Sequence, residues 1–241
     1  MRRVLALVSC AALVASLALA ADPPATTPTP KGLHYLYLIR HGAYDRDTVQ
    51  TDDRIGSGLN ALGHVQARLV GKRLAALPVK YHALITSDFT RARETADEIG
   101  RILHMTPVRD SLIHECTPTT ERADIMKDET PQTLAACESN LNAAWARYAV
   151  PTPDLDQIDI LVAHGNVIRW MVTRALGAPL DHWLRMDIGN CSLSILAIKP
   201  DGTARLVQFS DDAHIPLVKQ TWSGSAGGWL KKPAGKAKGM R

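Results

Sequence analysis

Two arginines and two histidines at recurring positions, and one acid, could give this chain the means to hold an anion and move a proton. Arg40-His41-Gly42 follows the apolar run Tyr35–Ile39. A histidine at a strand end, followed by glycine, stands at a loop whose backbone can approach a ligand closely. Ser87-Asp88-Phe89-Thr90-Arg91 lies at a strand-to-helix junction, where amides are unpaired and the helix dipole is positive. A cation such as Arg91 is unfavourable in that first turn unless an anion lies beside it. Its guanidinium can grip two phosphate oxygens at once. Ala163-His164-Gly165-Asn166 repeats the strand, histidine, glycine, helix order of the first stretch. Glu115 ends the strand after Arg91, and a carboxylic acid there could protonate a leaving oxygen and later deprotonate water. Asp110 and Glu121 are rivals for that role, and sequence alone does not choose among the three.

Each residue also has a plainer reading. His41 alone reads as a satisfied structural histidine, Arg91 as a surface arginine paired with Glu94, and Glu115 as a solvated loop residue. Arg93 reads as an ordinary surface cation. The two histidines could be metal ligands, but neither has a second ligand on a shared element, such as His-x-x-x-His. Phosphoryl transfer would suit such a set, since it needs in-line positioning and charge stabilisation above all. Imidazole is both nucleophile and leaving group, so His41 could split ester hydrolysis into two steps. Arginines and a second imidazole can take the place of metal ions, so neither metal nor cofactor is required.

These residues must be positioned by alternating strands and helices. Strands are predicted over Tyr35–Ile39, Tyr81–Thr86, Val108–Ile113 and Ile158–Ala163. Helices are predicted over Leu59–Leu77, with Asn60 as its N-cap, and over Thr90–Leu103, Gln132–Tyr148 and Asn166–Leu176. Pro200-Asp201-Gly202 joins two further strands, Ser192–Ile198 and Thr203–Phe209, as a hairpin. Residues 43–58 and 115–131 are polar loops. The alternation argues for an α/β domain with a mostly parallel central sheet. Ligands bind such sheets beyond the carboxyl ends of the strands, where Arg40, Ser87, Glu115 and His164 all fall.

The chain has 241 residues, 46% hydrophobic and 22% charged, with net charge +4. That length supports one domain with a full core. A basic balance suits anionic substrates, and no nucleic-acid-binding pattern accompanies it. Arg2 and Arg3 before the apolar run from Val4 to Leu19, then Ala18-Leu19-Ala20, read as a signal peptide over residues 1–20. Export to the periplasm, or secretion, is the expectation. The alternative is an uncleaved membrane anchor, since the run is near the lower limit for spanning a bilayer. Residues 21–32 read as a Pro/Thr-rich linker, 33–218 as the catalytic domain, and 219–241 as a basic, Gly/Ala-rich disordered tail. Cys10 leaves with the signal. Cys116, Cys137 and Cys191 allow one disulfide but no framework. Oligomeric state is not legible.

Taken in order, Arg40-His41-Gly42, Ser87-x-Phe89-x-Arg91-Ala-x-Glu-Thr95-Ala, Glu115 and His164-Gly-Asn resemble the histidine phosphatase superfamily, in its phosphoglycerate mutase-like branch. Leu59-Asn60-x-x-Gly63-x-x-Gln66-Ala67 also resembles the family's first helix, with Asn60 in place of the usual threonine. The likeness spans Tyr35 to Pro216. His164-Gly-Asn-Val-Ile-Arg169, Arg174-Ala-Leu, Trp183-Leu-Arg185, Asn190-x-Ser192 and Tyr44 resemble the family's mitochondrial Ser/Thr protein phosphatases in particular. Ala43-Tyr44-Asp45 stands where true mutases carry Glu-Ser and then asparagine, which puts mutase activity in doubt. The resemblance implies a three-layer α/β/α fold and metal-independent hydrolysis of phosphate monoesters through a phosphohistidine on His41. It implies that His164 and Glu115 share in catalysis and that Arg40, Arg91 and Asn166 bind substrate. The substrate would be a phosphorylated small molecule or a phosphoprotein. A mutase-like phosphotransferase and an inactive phosphate-binding module remain the alternatives.

Overall fold

The computed structural model describes residues 31–46, 52, 54 and 56–222. The segments read as signal peptide and most of the linker and tail lie outside the described residues. Six strands form one sheet in the order β3-β2-β4-β1-β5-β6. These are β1 (His34–Arg40), β2 (Ala83–Thr86), β3 (Val108–Arg109), β4 (Gln157–Ala163), β5 (Leu193–Ile198) and β6 (Ala204–Asp211). The pairs β1·β4, β2·β4 and β2·β3 are parallel, while β5 pairs antiparallel with both β1 and β6. The sheet is therefore mixed, with its hairpin on one edge.

Strand side chains alternate between faces, so each central strand feeds two cores. Leu36, Leu38, Leu161 and Ala163 point into one, shared with α4 (Pro131–Tyr148) and α5 (Gly165–Ala175). Tyr37, Ile39, Ile160 and Val162 point into the other, against α1 (Ala61–Ala75) and α2 (Thr90–Leu103). Leu36, Leu38 and Ile39 are essentially inaccessible, as expected for a strand covered on both sides. Three layers, helix, sheet and helix, follow from that pattern.

The local signals work as read. Asn60 Oδ1 accepts the Gly63 amide at 2.9 Å and starts α1. Thr130 and Thr133 form a reciprocal cap at the start of α4, with Pro131 in its first position. Gly177, at φ +65°, follows the last turn of α5. No described helix is long and apolar enough to cross a membrane.

Three expectations need correction. The strand predicted over Val108–Ile113 stops after two residues, because Asp110 accepts the Leu112 amide at 2.9 Å and turns Ser111–Ile113 into a 3₁₀ turn. The loop of residues 115–131 contains a short helix, α3 (Ala123–Met126). The domain is also longer than 33–218. Gly32 bridges to Thr152, and the Lys31 amide donates to the Pro153 carbonyl at 3.0 Å. At the other end Gln66 Nε2 donates to the Lys219 carbonyl and to Thr221 Oγ1, and Trp222 bridges to Gly189.

Candidate active site

The carboxyl ends of β1, β2 and β4 bring His41, Arg91 and His164 together. The His41 and His164 rings lie 5.1 Å apart, centroid to centroid. His41 Nδ1 is 2.8 Å from the Gly42 carbonyl, so that nitrogen carries the ring proton and Nε2 keeps its lone pair. Arg91 Nε donates to His41 Nε2 at 3.3 Å. The tautomer is thus fixed by backbone on one side and guanidinium on the other. Burial, then Arg40 and Arg91, hold His41 well below the ordinary imidazole value, so the ring is neutral.

His164 is held differently. Its Nε2 lies 2.8 Å from Ser87 Oγ, which also accepts the Phe89 amide at 3.2 Å. The hydroxyl hydrogen is then available to Nε2, which places the imidazole proton on Nδ1. That Nδ1 is buried and has no protein partner among the described residues. Arg40 Nε is likewise buried and unpartnered, while its Nη1 donates to the Ile188 carbonyl at 2.7 Å. Buried donors are nearly always satisfied in folded proteins. Arg40 Nε and His164 Nδ1 are thus two buried donors available to an acceptor. Burial lowers Arg40 to about 10. Arg40, Arg91 and Arg169 are all less than a tenth exposed. Concentrating cations this way is costly unless an anion offsets them.

Glu115 supplies the nearest negative charge. Its Oε1 accepts the Asn166 amide at 3.2 Å. Enclosure by protein raises the Glu115 carboxyl above the usual range, against the lowering effect of Arg40, Arg91 and Arg169. The two rivals lie elsewhere: Glu121 is clamped by Arg185 on the surface, and Asp110 is engaged by Tyr148 and Arg147. A cavity of about 340 Å³ adjoins Glu115, lined by Asp52, Arg54, Asp88, Phe89, Ser111 and His114. A larger one, about 450 Å³, lies at the opposite strand ends and touches none of these groups.

Asn166 takes a different place from the one expected. Its Nδ2 donates to the Cys116 carbonyl at 3.0 Å and its Oδ1 accepts from Arg169 Nη2 at 2.9 Å. Both ends of the amide are occupied in holding the Glu115 segment, so the side chain supports the site rather than facing a substrate. Arg93 is peripheral, donating to Thr90 Oγ1. Glu94 accepts the Leu59 amide at 2.6 Å, contrary to a pairing with Arg91.

Several residues of the family-like motifs, to which the sequence assigns no role, also line or support the site. Tyr44 packs edge-on against His41 at 5.2 Å and lies under the Arg91 guanidinium at 4.8 Å. Arg169, the last residue of the His164-Gly-Asn-Val-Ile-Arg169 motif, is buried on α5 amid apolar side chains. Asn190 Nδ2 donates to the His41 carbonyl at 2.9 Å, and Gln66 Oε1 accepts the Ala43 amide at 2.8 Å. Nothing local to those two sequences points to that job.

A buried neutral histidine with a bare nitrogen, ringed by arginines and orphaned donors at the ends of parallel strands, defines an enzyme of phosphoryl transfer to histidine. The chain belongs to the histidine phosphatase superfamily (branch 1), whose family model matches residues 36–151 and 119–212. It is a phosphatase by that membership. The mitochondrial serine/threonine-protein phosphatase PGAM5 of Xenopus tropicalis is 35% identical over 194 residues, 79% of this chain and 69% of the relative. Human PGAM5 is 35% identical over 199 residues, 80% and 68% of the two chains. Among solved structures, a Plasmodium falciparum phosphoglycerate mutase superposes with TM-score 0.53 at 26% identity, covering 77% of this chain and 96% of its own. The alpha-ribazole phosphatase of Shigella flexneri shares the fold at TM-score 0.58 and 18% identity, covering 74% and 96%.

The comparisons overturn the expectation of a periplasmic or secreted protein. The curated relatives are mitochondrial proteins, and the segment of residues 1–20 on which that expectation rested lies outside the described residues.

Proposed function

We propose that this phosphatase transfers the phosphoryl group of a phosphoserine or phosphothreonine side chain to His41 Nε2, and then to water. The observation that carries the mechanism is the His41 tautomer: Nδ1–H donates to the Gly42 carbonyl, leaving Nε2 as the bare atom beside Arg91. A phosphate dianion placed there would accept from Arg40 Nε and His164 Nδ1, the two buried donors without partners. Arg91 would leave His41 and grip an equatorial oxygen. The three groups then stabilise charge as the P–O bond to the leaving alcohol breaks and the N–P bond forms. Glu115, raised by burial, delivers its proton to the leaving oxygen. As a carboxylate it then removes a proton from the water that attacks the phosphohistidine. Phosphate departs and the resting state returns.

The serine/threonine assignment rests on the relatives at 35% identity, whose names give that activity. The cavity beside Glu115 offers space for the flanks of such a residue. Phosphoserine and phosphothreonine peptides should release phosphate, and His41→Ala should abolish it. Isomerisation of a phosphoglycerate without phosphate release would favour the transferase alternative. Equal release by wild type and His41→Ala would sink the mechanism. The phosphohistidine should be trapped by rapid quenching into alkali, where N-phosphohistidine survives and phosphoserine does not.

A further inference from the structure

Glu115 stands on a segment that the backbone scarcely holds. None of the amides of residues 115–120 donates to a backbone carbonyl of a described residue, and the segment has no regular structure. Side chains do the holding. Asn166 ties both the Glu115 carboxyl and the Cys116 carbonyl to the start of α5. Trp183 Nε1 donates to the Thr119 carbonyl at 3.0 Å. Thr119 Oγ1 donates to Glu138 on α4 at 2.7 Å, and one further tie is covalent: Cys116, the residue next to Glu115, is bonded to Cys137 on the same helix. Cys137 is 2% exposed and sits in the core cluster with Leu141 and Ala144, so the anchor itself does not move. Cys191, the third described cysteine, is buried and unpaired.

We propose that the Cys116–Cys137 bond positions Glu115 as the proton donor, so that its reduction selectively slows hydrolysis of esters with poor leaving groups. The proposal rests on reading Glu115 as the acid. A dithiol supplies the two electrons and two protons that turn the cystine into two thiols, and itself becomes a disulfide. Without the bond, the segment keeps its hydrogen bonds through Asn166, Trp183 and, four residues beyond Glu115, Thr119 to Glu138, and Glu115 samples a wider range of positions. General acid catalysis is sensitive to such displacement, since misplacement by an ångström can cost about 10²-fold. The loss must depend on the leaving group. An alkoxide needs the proton, whereas p-nitrophenolate is a stable anion at neutral pH and leaves without it. His41, Arg40 and His164 are held by contacts that do not involve Cys116.

The test compares kcat/KM for a phosphoserine peptide and for p-nitrophenyl phosphate, since kcat/KM reports the first transfer for each. The enzyme is assayed oxidised, after reduction with dithiothreitol, as Cys116→Ser/Cys137→Ser, and as Glu115→Gln, with Tm and circular dichroism for each. Reduction and the double variant should each lower the peptide-to-aryl ratio about tenfold, a fraction of the ~10²–10⁴ that a general acid supplies. Glu115→Gln should lower the same ratio further. Equal losses on both substrates would show a purely structural bond and overturn the proposal, as would an unchanged ratio while Glu115→Gln still lowers it. If Glu115→Gln leaves the ratio unchanged, the acid assignment itself fails. Should the double variant not fold, the reduced wild-type enzyme with native circular dichroism decides. Free thiols at both Cys116 and Cys137 in the oxidised preparation would overturn the proposal directly.

Discussion

Arg91 Nε donates to His41 Nε2 across 3.3 Å, so the atom that attacks phosphorus is paired at rest with the cation that will hold the phosphate. The pairing keeps both groups at the point of transfer in the absence of substrate. It also exacts little rearrangement, since a phosphoryl oxygen need only take the lone pair's place beside the guanidinium.

Arg91→Ala should lower kcat/KM for p-nitrophenyl phosphate by about 10²–10³-fold, the usual loss for removing one preorganised charge-stabilising donor. Arg91→Lys should recover little of it, because an ammonium lacks the planar fork. A Lys variant within a few-fold of wild type would show that charge alone suffices. Steady-state kinetics on the three proteins settle the matter.

Ser87→Ala removes the partner of His164 Nε2 and frees the ring to place its proton on either nitrogen. The expected loss in kcat/KM is about fivefold, equivalent to one hydrogen bond of ~1 kcal/mol. Nitrogen-15 NMR of the labelled imidazole reads the tautomer directly. A wild-type NMR signature in the variant would refute the role given to Ser87.

Acid should destabilise the protein before it touches most carboxylates. His41 and His164 are held well below 6.5 by burial, and His214 is lowered to about 4 by burial and Arg73. A histidine with a depressed folded value binds its proton more readily when unfolded. Its contribution is therefore fully present above about pH 6.5 and is lost as pH falls toward the folded value. Urea midpoints should decline from pH 6.5 to 4. Their decline should be shallower in His214→Gln, and an unchanged slope there would count against the assignment to that group.

Gly63→Ala should destabilise the fold by about 2 kcal/mol, the middle range for overpacking. A Cβ at residue 63 would fall 2.0 Å from the Ala43 carbonyl oxygen. The same carbonyl accepts the Asn60 amide at 3.1 Å, so relief would push on the loop that follows His41. Both Tm and kcat should fall, and a drop in Tm with kcat unchanged would mean that the loop gives way without moving His41.

The site residues on strand ends were legible because strands and helices announce themselves by period and cap, and sheets of this kind place ligands at their carboxyl ends. Arg40, His41, Arg91 and His164 fall where that rule puts them. Glu115 was not separable from Asp110 and Glu121, since three acids on or beside one loop look alike until the chain folds. Asn166 was placed against the substrate, whereas its amide is spent on Cys116 and Arg169. Domain limits at 33 and 218 fell short, because Gln66 reaches Lys219 and Thr221 only across the folded surface.

By itself, the sequence determined the elements, their order, the residues at their ends and thus the reacting histidine. Those depend on neighbours a few positions away, through periodicity, capping and glycine. The tertiary structure alone decided the His41 tautomer, the orphaned donors on Arg40 and His164, the placing of Glu115 near them with Asp110 and Glu121 elsewhere, and the bond from Cys116 to Cys137. Each of those is a relation between groups on different elements, fixed by burial and by distances that only packing sets.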